Sequence, residues 1–152
     1  YKTFGGKYDE RGYFIELIDN NIYIFGTNES YSENKNKDIW AMKLDNELKI
    51  IWSKLYDFGN IDEINAIYVD NSEIILAGFT STTEGKDDLI VFSINSLGEK
   101  VIDYKSNLEN INVANSVLSN NEIIVSGYSI NNQVKEEVTG MDSFILILKG
   151  GN

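Results

Sequence analysis

The side chains able to do chemistry in this chain are overwhelmingly carboxylates. Its 152 residues include 24 Asp and Glu against 13 Lys and Arg, a formal charge of −11, and neither His nor Cys. Two Asp-Glu pairs, Asp9–Glu10 and Asp62–Glu63, could lend oxygens to a hard cation or a cationic ligand. Adjacent acids on a turn often point apart, so plain solvation of the turn competes with that reading. Three more acids, Asp38, Asp88 and Asp142, each open an apolar run. They could ring one end of a channel, or each could bond backbone amides where its strand begins. Their matching placement favours the structural role, and no Asp-x-Asp-x-Asp-Gly calcium loop accompanies them. No metal and no cofactor is therefore expected.

Catalytic readings are narrow. Without His the commonest general base and transition-metal ligand is missing. Without Cys there is no disulfide, thiolate metal site or thiol nucleophile. No Gly-x-Ser-x-Gly elbow is present, and Gly5–Gly6, Gly85 and Gly150–Gly151 match neither dinucleotide nor phosphate-loop spacing. Two carboxylates facing across a cleft could hydrolyse a glycosidic bond. Among 24 acids some pair will lie at a suitable distance by chance, and spacing singles none out. The acidic balance and the lack of a Lys/Arg cluster argue against nucleic acid. No apolar stretch approaches the roughly 20 residues of a membrane-spanning helix. The longest, Phe144–Leu148, has the length of a strand.

Positioning these residues falls to a repeat. Three apolar strands end in Gly26, Gly78 and Gly127, 52 and 49 residues apart. A period near 50 belongs to propeller-type repeats, each a small antiparallel sheet. Triplets of Asp, Asn and Ser at 19–21, 70–72 and 119–121 precede these strands and read as hairpin turns. After each glycine a polar loop leads to the runs 38–44, 88–94 and 142–148. Those runs are apolar at consecutive positions, which predicts strands covered on both faces. A further strand is expected at 48–56 and 100–106, and a weaker one before each glycine strand, at 12–18, 64–69 and 112–118. Tyr1–Phe4 matches Ser53–Tyr56, the end of a fourth strand, which splits one unit between the termini. The expectation is a single all-β domain over 1–152, with approximate repeats 1–52, 53–102 and 103–152.

The same residues carry a family resemblance. Lys2-Thr3-Phe4-Gly5-Gly6, the strand end Phe25-Gly26-Thr27, Asp38-Ile39-Trp40 and Trp52-Ser53-Lys54-Leu55-Tyr56 resemble a bacterial β-propeller repeat. In that repeat Trp precedes Lys-Thr-Tyr-Gly-Gly, followed by a Gly-Tyr-Thr strand end and Asp-Val-Trp. The resemblance spans the chain, strongest over 1–59 and weakest over 103–121. Trp40 and Trp52 become Ile90 and Ile102 by position, so packing rather than chemistry governs those places. The resemblance implies propeller-type blades, three four-stranded antiparallel sheets with one blade split between the termini, in a secreted or cell-envelope protein. On function it says little, because propellers host binding modules and enzymes alike.

Closed propellers usually need four to eight blades. Three therefore imply a partner, either a second copy giving a six-bladed homodimer or the missing blades of a longer chain. The expected function is a non-catalytic interaction or scaffold module, with protein or glycan as a further partner. The alternatives are a carbohydrate-active propeller enzyme using paired carboxylates, and a fragment of a larger propeller with no separate activity. Recognition is expected in the longest loops, 28–37 and 129–140, where Tyr31 is the exposed aromatic. Asp9, Glu10, Asp62 and Glu63 are the candidate ligand-binding acids. Gly26, Gly78 and Gly127 are assigned to tight backbone packing rather than to ligand approach.

Overall fold

Asp19 and Asn20 both take positive φ, 49° and 60°, as a two-residue type I′ hairpin requires. The turn joins β1 (Glu10–Ile18) to β2 (Asn21–Asn28). In this computed structural model the described residues are 1–33, 35–70, 73–82, 85–106, 111–130 and 141–149, with Asp70 and Ile111 described by backbone alone. The turn expected at 70–72 lies largely outside them, as does the loop expected at 129–140 from residue 131 onward.

Among the described residues nine more strands follow: β3 (Asp38–Leu44), β4 (Ile50–Tyr56), β5 (Ile61–Asp70), β6 (Glu73–Ser81), β7 (Asp87–Ile94), β8 (Lys100–Lys105), β9 (Ile111–Ser119), β10 (Glu122–Ile130) and β11 (Met141–Lys149). The described residues contain no helix, hence none long and apolar enough to cross a membrane. The strands make three antiparallel meanders, β1-β2-β3-β4, β5-β6-β7-β8 and β9-β10-β11.

The turns repeat in atomic detail. Asp45 Oδ1 accepts the amides of Glu47 and Lys49 between β3 and β4. Asn95 Oδ1 accepts those of Leu97 and Glu99 between β7 and β8. Each turn needs one left-handed residue, Leu48 at φ 61° in the first and Gly98 at φ 71° in the second.

Contacts divide the chain into two units, Tyr1–Glu63 and Ile64–Asn152. In the first, Trp40, Met42 and Leu44 of β3 form a cluster with Phe4, Ile22, Ile24 and Leu55 around it. Trp40 Nε1 donates to Ser53 Oγ at 2.7 Å, which satisfies the buried indole. On the opposite face Tyr23 stacks near Phe25 and meets the edge of Trp52 at 5.9 Å. In the second unit Ile75, Ala77, Leu89 and Val91 pack against Ala114, Val117, Ile123 and Val125, joining the second sheet to the third.

Gly26 and Gly127 sit where two backbones come too close for a side chain. A Cβ on Gly26 would fall 1.7 Å from the Arg11 carbonyl oxygen, and one on Gly127 would fall 1.9 Å from that of Val113. The pairing register shifts at both places, beside Gly12 on β1 and beside Gly127 on β10. These are β-bulges, which bend a strand locally and increase its twist.

Two expectations need correction. Tyr1–Phe4 forms no strand; Phe4 instead packs on the Trp40 cluster of the first sheet. Among the described residues the third sheet accordingly has three strands, with none on the outer side of β11. The second correction concerns cover. β3 and β7 are buried on both faces, but β11 alternates exposed and half-buried residues. Its inward row, Phe144, Leu146 and Leu148, meets the core. Its outward row does not.

Candidate functional site

Asp38 opens β3 directly opposite Asn28 of β2. The loop between them is tied down from several sides. Asn28 Oδ1 accepts the Tyr31 amide at 2.9 Å, and the Ser32 hydroxyl bonds Asn36 Oδ1. Asn36 Nδ2 then donates to the Gly59 carbonyl at 2.9 Å. That last bond draws the loop towards the turn that follows β4.

The turn is built by its own acids. Asp57 Oδ1 accepts the Gly59 amide at 3.0 Å, and Asp62 Oδ2 accepts the Phe58 amide at 2.7 Å. The Asp62 amide donates to the Lys37 carbonyl at 2.7 Å, beside a parallel bridge between Lys37 and Ile61. This bridge sets the start of β5 beside the start of β3. It brings carboxylate oxygens of Asp38, Asp57 and Asp62 within 4.8 Å of one another.

Asp38 is 3% exposed and Asp62 fully buried, whereas Asp57 is exposed. Burial pushes the Asp38 carboxyl up to about 6; the Ser32 hydroxyl opposes this, and the charges of Asp57, Asp62 and Glu33 add to it. Asp38 Oδ1 is sealed from water and receives no hydrogen bond. Lys37, next in sequence, is engaged elsewhere: its Nζ lies 2.7 Å from Glu63 Oε1. The Glu63 hydrogen bond raises the Lys37 pKa against the opposing cost of burial.

The four acids singled out as ligand candidates thus go to different partners. Asp9 meets Arg11 at 3.5 Å on the surface. Glu10 accepts the amides of Gly6 at 2.9 Å and Ser30 at 3.2 Å. Burial raises its pKa, but the Ser30 and Gly6 donors outweigh that, leaving it below the ordinary value. Glu63 takes Lys37, and only Asp62 joins the cluster. Tyr31 is exposed, with its hydroxyl donating to the Gly5 carbonyl at 3.0 Å.

The three strand-opening acids also diverge. Asp38 stands among acids; Asp88 is buried with Lys105 at 3.8 Å; Asp142 is exposed. Thr80, which pairs with Asp88, replaces Asn28 of the first sheet. Asp57 is the member that sequence reading missed. Its one signal is the stretch 57–62, where two acids bracket a short Gly-Asn turn.

A separate surface feature belongs to β11. Met141, Ile145 and Ile147 are 67%, 74% and 50% exposed. They lie on one face, because alternate residues of a strand share a side. Ile147 pairs through Ile124 of β10 to Leu118 of β9, which extends the row across the sheet. No family model and no curated protein matches the chain.

Proposed function

We propose that this chain is a non-catalytic β-propeller-type module whose sheets bind further sheets of the same kind, a second copy first. The observation that carries the reading is the outer side of the third sheet. Its apolar row of Leu118, Met141, Ile145 and Ile147 is exposed, while the same run of the repeat in β3 and β7 is covered on both faces. The outer edge of β11 also has no strand beside it among the described residues. Two of the devices that blunt a sheet edge are missing from it, since β11 has no Pro and no register shift against β10.

Magnitude favours use of this surface. Covering the exposed part of these four side chains, about half to three-quarters of each, gains roughly 1–2 kcal/mol apiece, and association costs an estimated 4–15 kcal/mol. The face alone is thus marginal, and pairing of the β11 edge supplies the remainder. A propeller assembly in a secreted or envelope-associated protein is the setting that the repeat resemblance favours.

Light scattering coupled to size exclusion, run over a hundredfold dilution, tests this. The expected result is an oligomer that dissociates on dilution, and a monomer at every concentration for the Ile145→Lys, Ile147→Lys double variant. A 17 kDa monomer for the unaltered chain at the highest concentration would sink the proposal.

A further inference from the structure

The carboxylates of Asp38, Asp57 and Asp62 are held together by contacts that leave part of their chemistry unused. We propose that this cluster is a calcium site, clamping the start of β3 to the turn that leads into β5. The site is independent of any association through the third sheet.

Two observations carry it besides the presence of three acids. Asp38 is 97% buried by its 3% exposure, yet its Oδ1 is sealed from water with no donor to satisfy it. A buried carboxylate oxygen without a donor or a cation is costly. Among the described residues the usual remedy, a basic partner for the carboxylate, is also missing. Lys37 is the basic residue next in sequence, and its Nζ is held by Glu63 at 2.7 Å. The second repeat shows that remedy in place: at the equivalent Asp88, Lys105 stands 3.8 Å away.

The donor set selects the ion. All three ligands are carboxylates, and the chain contains no His and no Cys, so softer ions that favour nitrogen or sulfur find nothing here. Calcium binds oxygens at roughly 2.3–2.6 Å, so ligands on opposite sides stand about 4.6–5.2 Å apart. Oxygens within 4.8 Å of one another fit that span. Magnesium, at about 2.0–2.1 Å, demands stricter octahedral geometry and holds its water more firmly.

The scaffold is formed by protein contacts alone. The Phe58 amide orients Asp62, the Gly59 amide orients Asp57, and the Asp62 amide locks onto the Lys37 carbonyl. Asp57 is exposed and gives the ion its way in. Three carboxylates leave several of the six to eight calcium positions for solvent or backbone oxygens.

The test uses chelator-treated protein, titrated with calcium chloride by calorimetry and melted with tryptophan fluorescence as the readout. The expected result is saturable binding of one calcium per chain and a melting temperature raised by several degrees at millimolar calcium. Asp57→Asn, at an exposed position, should weaken binding at least tenfold while circular dichroism stays that of the unaltered chain. Asp38→Asn should abolish the calcium response and raise the melting temperature of the chelated protein. The proposal is overturned by the absence of saturable heat. It is equally overturned by a calcium shift that both variants retain, which is counter-ion binding to the acidic surface, or by an equal response to magnesium.

Discussion

Replacing Gly26 by Ala puts a methyl carbon 1.7 Å from the Arg11 carbonyl oxygen, where contacts below 3.0 Å are essentially never seen. The obstacle is backbone, so no rotamer change relieves it, and β1 must retreat by about 1.3 Å. A shift of that size breaks the Arg11–Thr27 and Gly12–Gly26 pairings at the bulge. Overpacking costs about 1–3 kcal/mol, and two lost backbone hydrogen bonds add about 1 kcal/mol each. The reduced freedom of the unfolded chain returns at most about 1 kcal/mol. The net expectation is a loss of roughly 2–4 kcal/mol. Gly12→Ala is the control, because its Cβ would meet only Ile24 Cγ2, at 3.4 Å. That variant should stay within about 1 kcal/mol of the parent. Urea unfolding followed by tryptophan fluorescence reads the right unit, since Trp40 and Trp52 are the only tryptophans and both lie in Tyr1–Glu63. With a slope near 1–2 kcal/mol/M, the Gly26 variant should lose at least about 1 M in midpoint relative to the parent, and at least about 0.5 M relative to the Gly12 variant. Coincident midpoints would refute the close-approach account of the repeated glycine.

Further outcomes follow from single side chains. Asp38 should make the chelated protein less stable as pH rises. Its folded pKa of about 6 exceeds the ordinary 3.8, so between those values the folded state keeps a proton that the unfolded state has released. Stability from this group is present below about pH 4 and lost as pH rises through about 6, by at most about 3 kcal/mol. The difference in urea stability between the parent and Asp38→Asn should show that slope, and a flat difference would contradict it. Leu48→Gly should stabilise by about 0.5–1 kcal/mol, since a left-handed Leu is strained and Gly is not. Gly98 holds that place in the second repeat. A lower urea midpoint for this variant would count against it.

The strands were legible because the repeat wrote each one more than once. Hairpin residues such as Asp19 and Asn20 marked the reversals, and consecutive apolar residues marked β3 and β7. What sequence could not carry was environment. Asp38, Asp88 and Asp142 hold the same place in the repeat, yet one sits among acids, one beside Lys105 and one in solvent. The acidic cluster depends on the Lys37–Ile61 bridge, a contact between residues 24 apart with no pattern of its own. Asp57 joins it only through that geometry. Phe4 likewise read as part of a strand because its neighbours match Ser53–Tyr56, but its ring goes to the Trp40 cluster instead.

The open side of the third sheet also bears on how such a chain can change. A repeat copied and appended by duplication would meet, in Leu118, Ile145 and Ile147, an apolar surface of the kind that the second and third sheets already share. The core shared by the second and third sheets would not have to be redesigned to receive it, because a stacked layer answers only to its neighbours. The exposed row leaves the third sheet open to gaining a further layer under selection while keeping the one it already has.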